Sequence, residues 1–229
     1  MDAGQRGPGT AATKRGLRAS KAWCVLCLLA AAAFPLELDA QQWSVGLRVG
    51  ASATRMNFDD PAASEAVLAA PGFHVGALVE RSFATRFALR VEALVNRKGF
   101  DSDVDEKLTF TYLELPLLLS AEWSVPASPR LFAGPVLGFE LGCHSTRVLG
   151  LGELACDDPA STLLRKKTDL GIAIGAGVGF RAAGGAFGLD LWLEHGMRDV
   201  SLETRPPGGV RHQALMLSAI YVRELRRSP

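Results

Sequence analysis

Residues 107–123 read K-L-T-F-T-Y-L-E-L-P-L-L-L-S-A-E-W, from Lys107 to Trp123. Every second residue gives Thr109, Thr111, Leu113, Leu115, Leu117, Leu119, Ala121 and Trp123 on one side, with Tyr112, Glu114, Pro116, Ser120 and Glu122 on the other. A strand turns successive side chains to opposite faces, so this segregation describes a wall whose two faces meet unlike surroundings. The stretch exceeds the roughly 9–11 residues that a tilted strand needs to cross a bilayer. It reads as a membrane strand.

The same period-two grammar recurs on both sides of it, giving eight runs in all. The first, Trp43 to Arg55, sets Trp43, Val45, Leu47, Val49, Ala51 and Ala53 against Ser44, Gly46, Arg48, Gly50, Ser52 and Thr54. The second spans Gly72 to Glu80, with Phe73, Val75, Ala77 and Val79 on its apolar face. In the third, Phe87, Leu89, Val91, Ala93 and Val95 oppose Arg90, Glu92, Asn96 and Lys98. The fifth covers Arg130 to Leu141 and the sixth Lys167 to Arg181, where Leu170, Ile172, Ile174, Ala176, Val178 and Phe180 face away from a run of alternate glycines. The seventh carries Phe187, Leu189, Leu191 and Leu193 against Gly188, Asp190, Trp192 and Glu194. The eighth, about Val210 to Arg223, is apolar on both sides and its orientation stays open.

Between the runs the connections alternate long and short. Residues 57–70, 99–105, 144–165 and 199–209 are polar and turn-forming, whereas 81–85, 124–129 and 184–185 are brief. Long external loops alternating with short periplasmic turns are the pattern of a bacterial outer-membrane barrel, with both ends of the barrel on the periplasmic side.

Strand alternation by itself also fits a soluble eight-stranded barrel of the lipocalin kind, which points its apolar face inward around a small apolar ligand. The polar face decides between the two. It carries Arg48, Glu80, Arg90, Glu92, Glu114, Glu140, Asp169, Asp190, Glu194 and Arg198 among many glycines. Charges of both signs mixed with small residues suit the narrow lumen of an eight-stranded barrel, where carboxylates and guanidinium groups pair across the bore. A buried network of this kind is tolerable only when its members are paired. The expectation is therefore an all-β, eight-stranded, antiparallel up-and-down transmembrane barrel with a charge-filled lumen that serves as a structural plug, in preference to a narrow solute conduit.

Residues 1–40 stand apart. Arg6, Lys14, Arg15, Arg18 and Lys21 form a basic segment, Ala22 to Phe34 an apolar one of about 13 residues, and Leu38-Asp39-Ala40 a small-residue site. A spanning helix needs about 20 apolar residues, so a cleaved signal peptide is expected over 1–40, with the barrel domain over 41–229. A formal charge of +1 gives no nucleic-acid signal. Hydrophobic residues at 48%, with no second long apolar run, require the apolar content to be spread along alternating strands. Cys143 and Cys156 remain after cleavage, in an oxidising compartment, and are expected to form a disulfide across a polar loop.

T-Y-L-E-L-P-L-L-L (Thr111 to Leu119), followed by L-F-A-G-P-V-L-G-F (Leu131 to Phe139), resembles the PorT-type outer-membrane β-barrel family. G-L-R-V-G-A-S at Gly46, P-G-F-H-V-G at Pro71, R-V-E-A-L-V-N-R-K-G at Arg90, D-L-G-I-A-I-G-A-G-V-G-F at Asp169 and L-D-L-W-L-E-H-G at Leu189 agree in order and spacing. The resemblance implies an integral barrel of the Gram-negative outer membrane in contact with its lipid. It also implies proteins of secretion or envelope assembly as partners, and it brings no catalytic residues.

Chemistry-bearing motifs are sparse. His74, His144, His195 and His212 make no metal-ligand spacing. The glycines of the sixth run recur inside a strand rather than before a helix, which removes a nucleotide-loop reading, so neither metal nor cofactor is expected. Asp169, His195 and Ser201 could compose a hydrolase site on paper, but any chain of this length offers such a trio. The protein is expected to be non-enzymatic.

Overall fold

The computed structural model describes residues 42–58, 67–102, 106–125, 127–147, 153–156, 166–182, 184–198 and 210–225. The expected signal peptide at 1–40 lies outside the described residues. Among the described residues nine strands form: β1 (Trp43–Phe58), β2 (Val67–Ser82), β3 (Phe87–Ser102), β4 (Glu106–Glu122), β5 (Pro129–Arg147), β6 (Glu153–Ala155), β7 (Thr168–Ala182), β8 (Gly185–Gly196) and β9 (Val210–Leu225). Eight of them are long. They pair antiparallel in chain order, β4 pairs with β5, and β9 returns to β1 from Trp43↔Leu225 to Phe58↔Val210, so the sheet closes on itself and leaves no free edge among the eight. β6 is a three-residue addition to the end of β5.

The side chains sort as the alternation demands. Leu47, Val91, Leu117, Ile174 and Leu191 stand outward at 43–64% exposure, and their neighbours in sequence are buried inside. An inward apolar face, which the lipocalin-like alternative requires, is thereby ruled out. β9, ambiguous in sequence, puts Leu215 and Leu217 outside and Met216, Ser218 and Ile220 inside, because its register against β1 and β8 leaves no choice.

The strands outrun the segments read from the sequence. β1 continues to Phe58 and β2 begins at Val67, inside the stretch expected to be a loop. β3 and β4 leave only 103–105 between them, and β5 runs on to Arg147. Polarity alternation ends where the wall leaves the hydrocarbon, but the hydrogen-bonded ladder needs no lipid and continues beyond it. At the opposite end the connections are tight, and Gly184, at φ 91°, supplies the left-handed backbone that turns β7 into β8.

Candidate functional site

The interior is built in layers whose order can be read along two strands. Going outward from the tight-turn end, β8 presents Asp190, Trp192 and Glu194 to the lumen, and β3 presents Arg90, Glu92, Leu94, Asn96 and Lys98. Each strand passes from one ionic layer through an apolar one to a second ionic layer.

In the lower layer, Arg48 Nε lies 2.8 Å from Glu92 Oε2 and its Nη2 lies 2.9 Å from Asp190 Oδ2. Arg130 donates from Nε to Asp190 Oδ1 at 2.7 Å, with Nη2 at 2.6 Å. Arg90 holds Glu80 at 2.6 Å and stands 3.7 Å from Asp190. Three guanidinium groups thus meet three carboxylates, and their charges balance. Bidentate, mutually braced pairs are what makes such burial tolerable, since each charge otherwise loses its hydration uncompensated.

The middle layer joins Leu94, Leu118, Phe132, Val136, Ala173, Trp192, Ala214 and Met216. Trp192 stands edge-on to Phe132 with centroids 6.1 Å apart, and the Arg48 guanidinium lies 4.9 Å from its ring centroid, tying this layer to the one below. The alternate glycines of β7 make the room. A Cβ on Gly175 would stand 2.5 Å from both Phe132 Cζ and Trp192 Cβ, and one on Gly177 would stand 3.1 Å from Arg130 Nε.

In the upper layer Lys98 Nζ sits between Glu114 Oε1 at 2.5 Å and Glu194 Oε1 at 2.7 Å, and Asn96 Nδ2 donates to Glu114 Oε2 at 2.9 Å. Removing one of two carboxylates leaves the ammonium still paired, so Glu194→Gln is expected to cost only about 1 kcal/mol in urea titrations of the refolded barrel.

Above this, Met56, Leu108, Phe110, Tyr112, Cys143 and Cys156 close the mouth, with His212 against the Phe110 and Tyr112 rings. Cys143 and Cys156 are disulfide-bonded. Strict alternation from Phe139 would have turned Cys143 toward lipid. A bulge on β5, where Tyr112 pairs with Glu140 but Thr111 with Gly142, makes Leu141 an extra residue and swings Cys143 inward. Cys156→Ser is expected to lower stability by about 2 kcal/mol, the modest end for a loop of this size because the barrel ladder already restrains β5. The same loss should follow from reductant on the unaltered chain, read as a shift in urea midpoint.

Seven of the ten charges singled out in the sequence therefore meet in the two ionic layers: Arg48, Glu80, Arg90, Glu92 and Asp190 below, Glu114 and Glu194 above. Glu140 and Asp169 line the wall nearer the mouth, where Asp169 Oδ1 accepts the Leu170 N–H at 2.8 Å. Arg198 does not belong to the lumen. β8 ends at Gly196, alternation stops there, and the exposed Arg198 donates to Thr168 Oγ1 at 2.9 Å. Lys98 and Arg130, central to the two layers, lie outside the ten charges singled out in the sequence, although the parity of β3 and β5 places both inward. The lumen is also less purely ionic than expected, because Leu118, Phe132 and Trp192 share the inward face with the charges.

The hydrolase trio does not assemble. Asp169 is buried on the lumen side, His195 is exposed on the opposite face of the wall, and Ser201 lies outside the described residues. Among the described residues no group of three or more His, Cys, Asp or Glu side chains is placed to hold a metal.

A closed antiparallel barrel of eight long strands, apolar outside and ionic within, is the architecture of a protein that crosses a membrane by its strands. Residues 39–202 match the model of the outer membrane protein beta-barrel domain, and the chain belongs to that family of the outer membrane. Several solved barrels are similar in structure. The attachment invasion locus protein Ail of Yersinia pestis is 16% identical, covering 78% of this chain and 97% of its own, at a TM-score of 0.43. OprG of Pseudomonas aeruginosa is 13% identical over 82% of this chain and 98% of its own, at 0.46. Neisserial surface protein A is 14% identical over 77% and 96%, at 0.44. No curated protein matches the sequence significantly.

Proposed function

We propose that the protein is a non-enzymatic outer-membrane barrel whose lumen is a structural stopper, and that it acts through its external connections as a component of a PorT-type envelope or secretion assembly. In this reading residues 1–40 are a cleaved signal peptide, and the end bearing the connections 59–66, 103–105, 148–167 and 197–209 faces outward. The observation that carries it is the stack of two ionic layers, an apolar layer and a disulfide-bonded mouth, which leaves the bore filled with side chains. A protein with such an interior has its connections, rather than its lumen, available for work. The resemblance of Thr111–Leu119 and Leu131–Phe139 to the PorT-type family supports the assembly role.

A photo-crosslinking residue placed in 59–66 or 199–209, activated in intact envelopes, should give discrete protein adducts that a probe in the turn at 83–86 does not. Reconstituted in a planar bilayer, the barrel should show no resolved conductance steps. Steps of defined size would instead favour the narrow-conduit reading. A cysteine introduced in 59–66 should be labelled by a membrane-impermeant maleimide on whole cells, and protection of that cysteine would reverse the orientation.

A further inference from the structure

The outer wall is asymmetric in a way that membrane crossing alone does not require. Around the tight-turn end, Trp43, Phe87, Trp123, Phe180, Phe187 and Tyr221 stand on the lipid side, a girdle of the ordinary interfacial kind. The other end carries a different set of groups. There the outward positions hold Arg55, Arg97, Arg211, His144 and His195, and among the described residues no carboxylate faces outward at that level. Glu92, Glu114, Asp169, Asp190 and Glu194 are buried inside.

Within this collar, one place has the shape of a site. Phe73, Val95, Arg97, Thr109, Thr111 and His144 line a depression of about 310 Å³ across β2 to β5. The register brings them together, with Phe73 opposite Arg97, Arg97 opposite Thr111, and Thr109 opposite His144. The depression is graded along the strands. Val95, 39% exposed, lies two residues from Arg97 along β3 toward the apolar belt of Val91 and Leu115, and Phe73, 54% exposed, stands on the Arg97 rung next to Val75 on the same face, whereas the other lining residues bring a guanidinium, an imidazole and two hydroxyl groups. An occupant must therefore be oily on the membrane side and anionic on the solvent side, and must lie parallel to the strands. A guanidinium with neighbouring hydroxyl donors suits phosphate oxygens in particular.

We propose that this depression binds a phosphate-bearing lipid of the outer leaflet, with its acyl chain against Phe73 and Val95 and its phosphate held by Arg97 with Thr109, Thr111 and His144. The leaflet follows from the orientation given under Proposed function, whereas the lipid contact itself does not depend on it.

The test is native mass spectrometry of the detergent-solubilised protein titrated with diphosphoryl lipid A, with its phosphate-free counterpart, and with inorganic phosphate. The unaltered protein should retain diphosphoryl lipid A one to one and lose about fivefold in affinity when the phosphates are removed, the effect of one arginine at an anionic lipid surface. Arg97→Gln should lose about the same factor, while Arg223→Gln, an outward arginine at the opposite end, should bind as the unaltered protein does. Migration of each variant on unboiled gels verifies that the barrel is closed. Equal retention of the phosphate-free lipid, equal binding by the two variants, or retention of inorganic phosphate as strong as that of the lipid would each overturn the proposal. The cysteine-labelling result fails or succeeds separately, so an inverted barrel and an absent lipid site can be told apart.

Discussion

Asp190→Asn should lower the stability of the folded barrel by about 3–5 kcal/mol, the cost of breaking a buried ion network by removing one partner. Asp190 is fully buried and is the carboxylate shared most widely, in contact with Arg48 at 2.9 Å, Arg130 at 2.6 Å and Arg90 at 3.7 Å. Its neutralisation removes the carboxylate that Arg48 and Arg130 both contact and leaves this layer, buried from solvent, one negative charge short. The substitution keeps the side chain's shape, so loss of packing is not a competing cause. Urea titration of the refolded protein in lipid vesicles reads the effect. Adding Arg130→Met to the same chain restores the balance at two against two and should recover roughly half of the loss. If the double variant were less stable than either single one, charge balance would not be what holds this layer together.

Leu191→Arg, one residue further on, should cost roughly 2–4 kcal/mol for a different reason. Leu191 stands on the outer face at 52% exposure, in the middle of β8, in register with Ala176 of β7 and Leu217 of β9. An arginine there must sit in hydrocarbon or bend toward a headgroup about half the belt away, and no outward carboxylate lies beside it at that depth. The same refolding titration measures it, and its cost should exceed that of Glu194→Gln, which alters a charge inside. The reverse ranking would mean that the outer face does not meet lipid.

These neighbouring substitutions show how much was legible beforehand. Asp190 and Leu191 were assigned to opposite faces by parity alone, because hydrocarbon tolerates so few polar groups that the outward face is written in the sequence without a partner strand. Arg198 was misplaced because parity has meaning only while the strand lasts, and nothing in H-G-M-R announces that β8 stops at Gly196. The depression at Arg97 was invisible for another reason. Its six lining residues come from four strands and meet only through the register of β2 to β5.

Local chemistry repeated along the chain was enough to specify eight membrane strands, the inner and outer faces of the first seven, and long connections at one end, since each follows from what a single strand meets on its two sides. The partners inside were decided by closure. Arg48 on β1 meets Glu92 on β3 and Asp190 on β8, Lys98 on β3 meets Glu194 on β8, and the glycines of β7 matter because Phe132 and Trp192 arrive from neighbouring strands. The bulge that turns Cys143 into the mouth belongs to the same class. Side chains that cross a bore answer to the shear and tilt of the whole barrel, and no window along one strand contains that information.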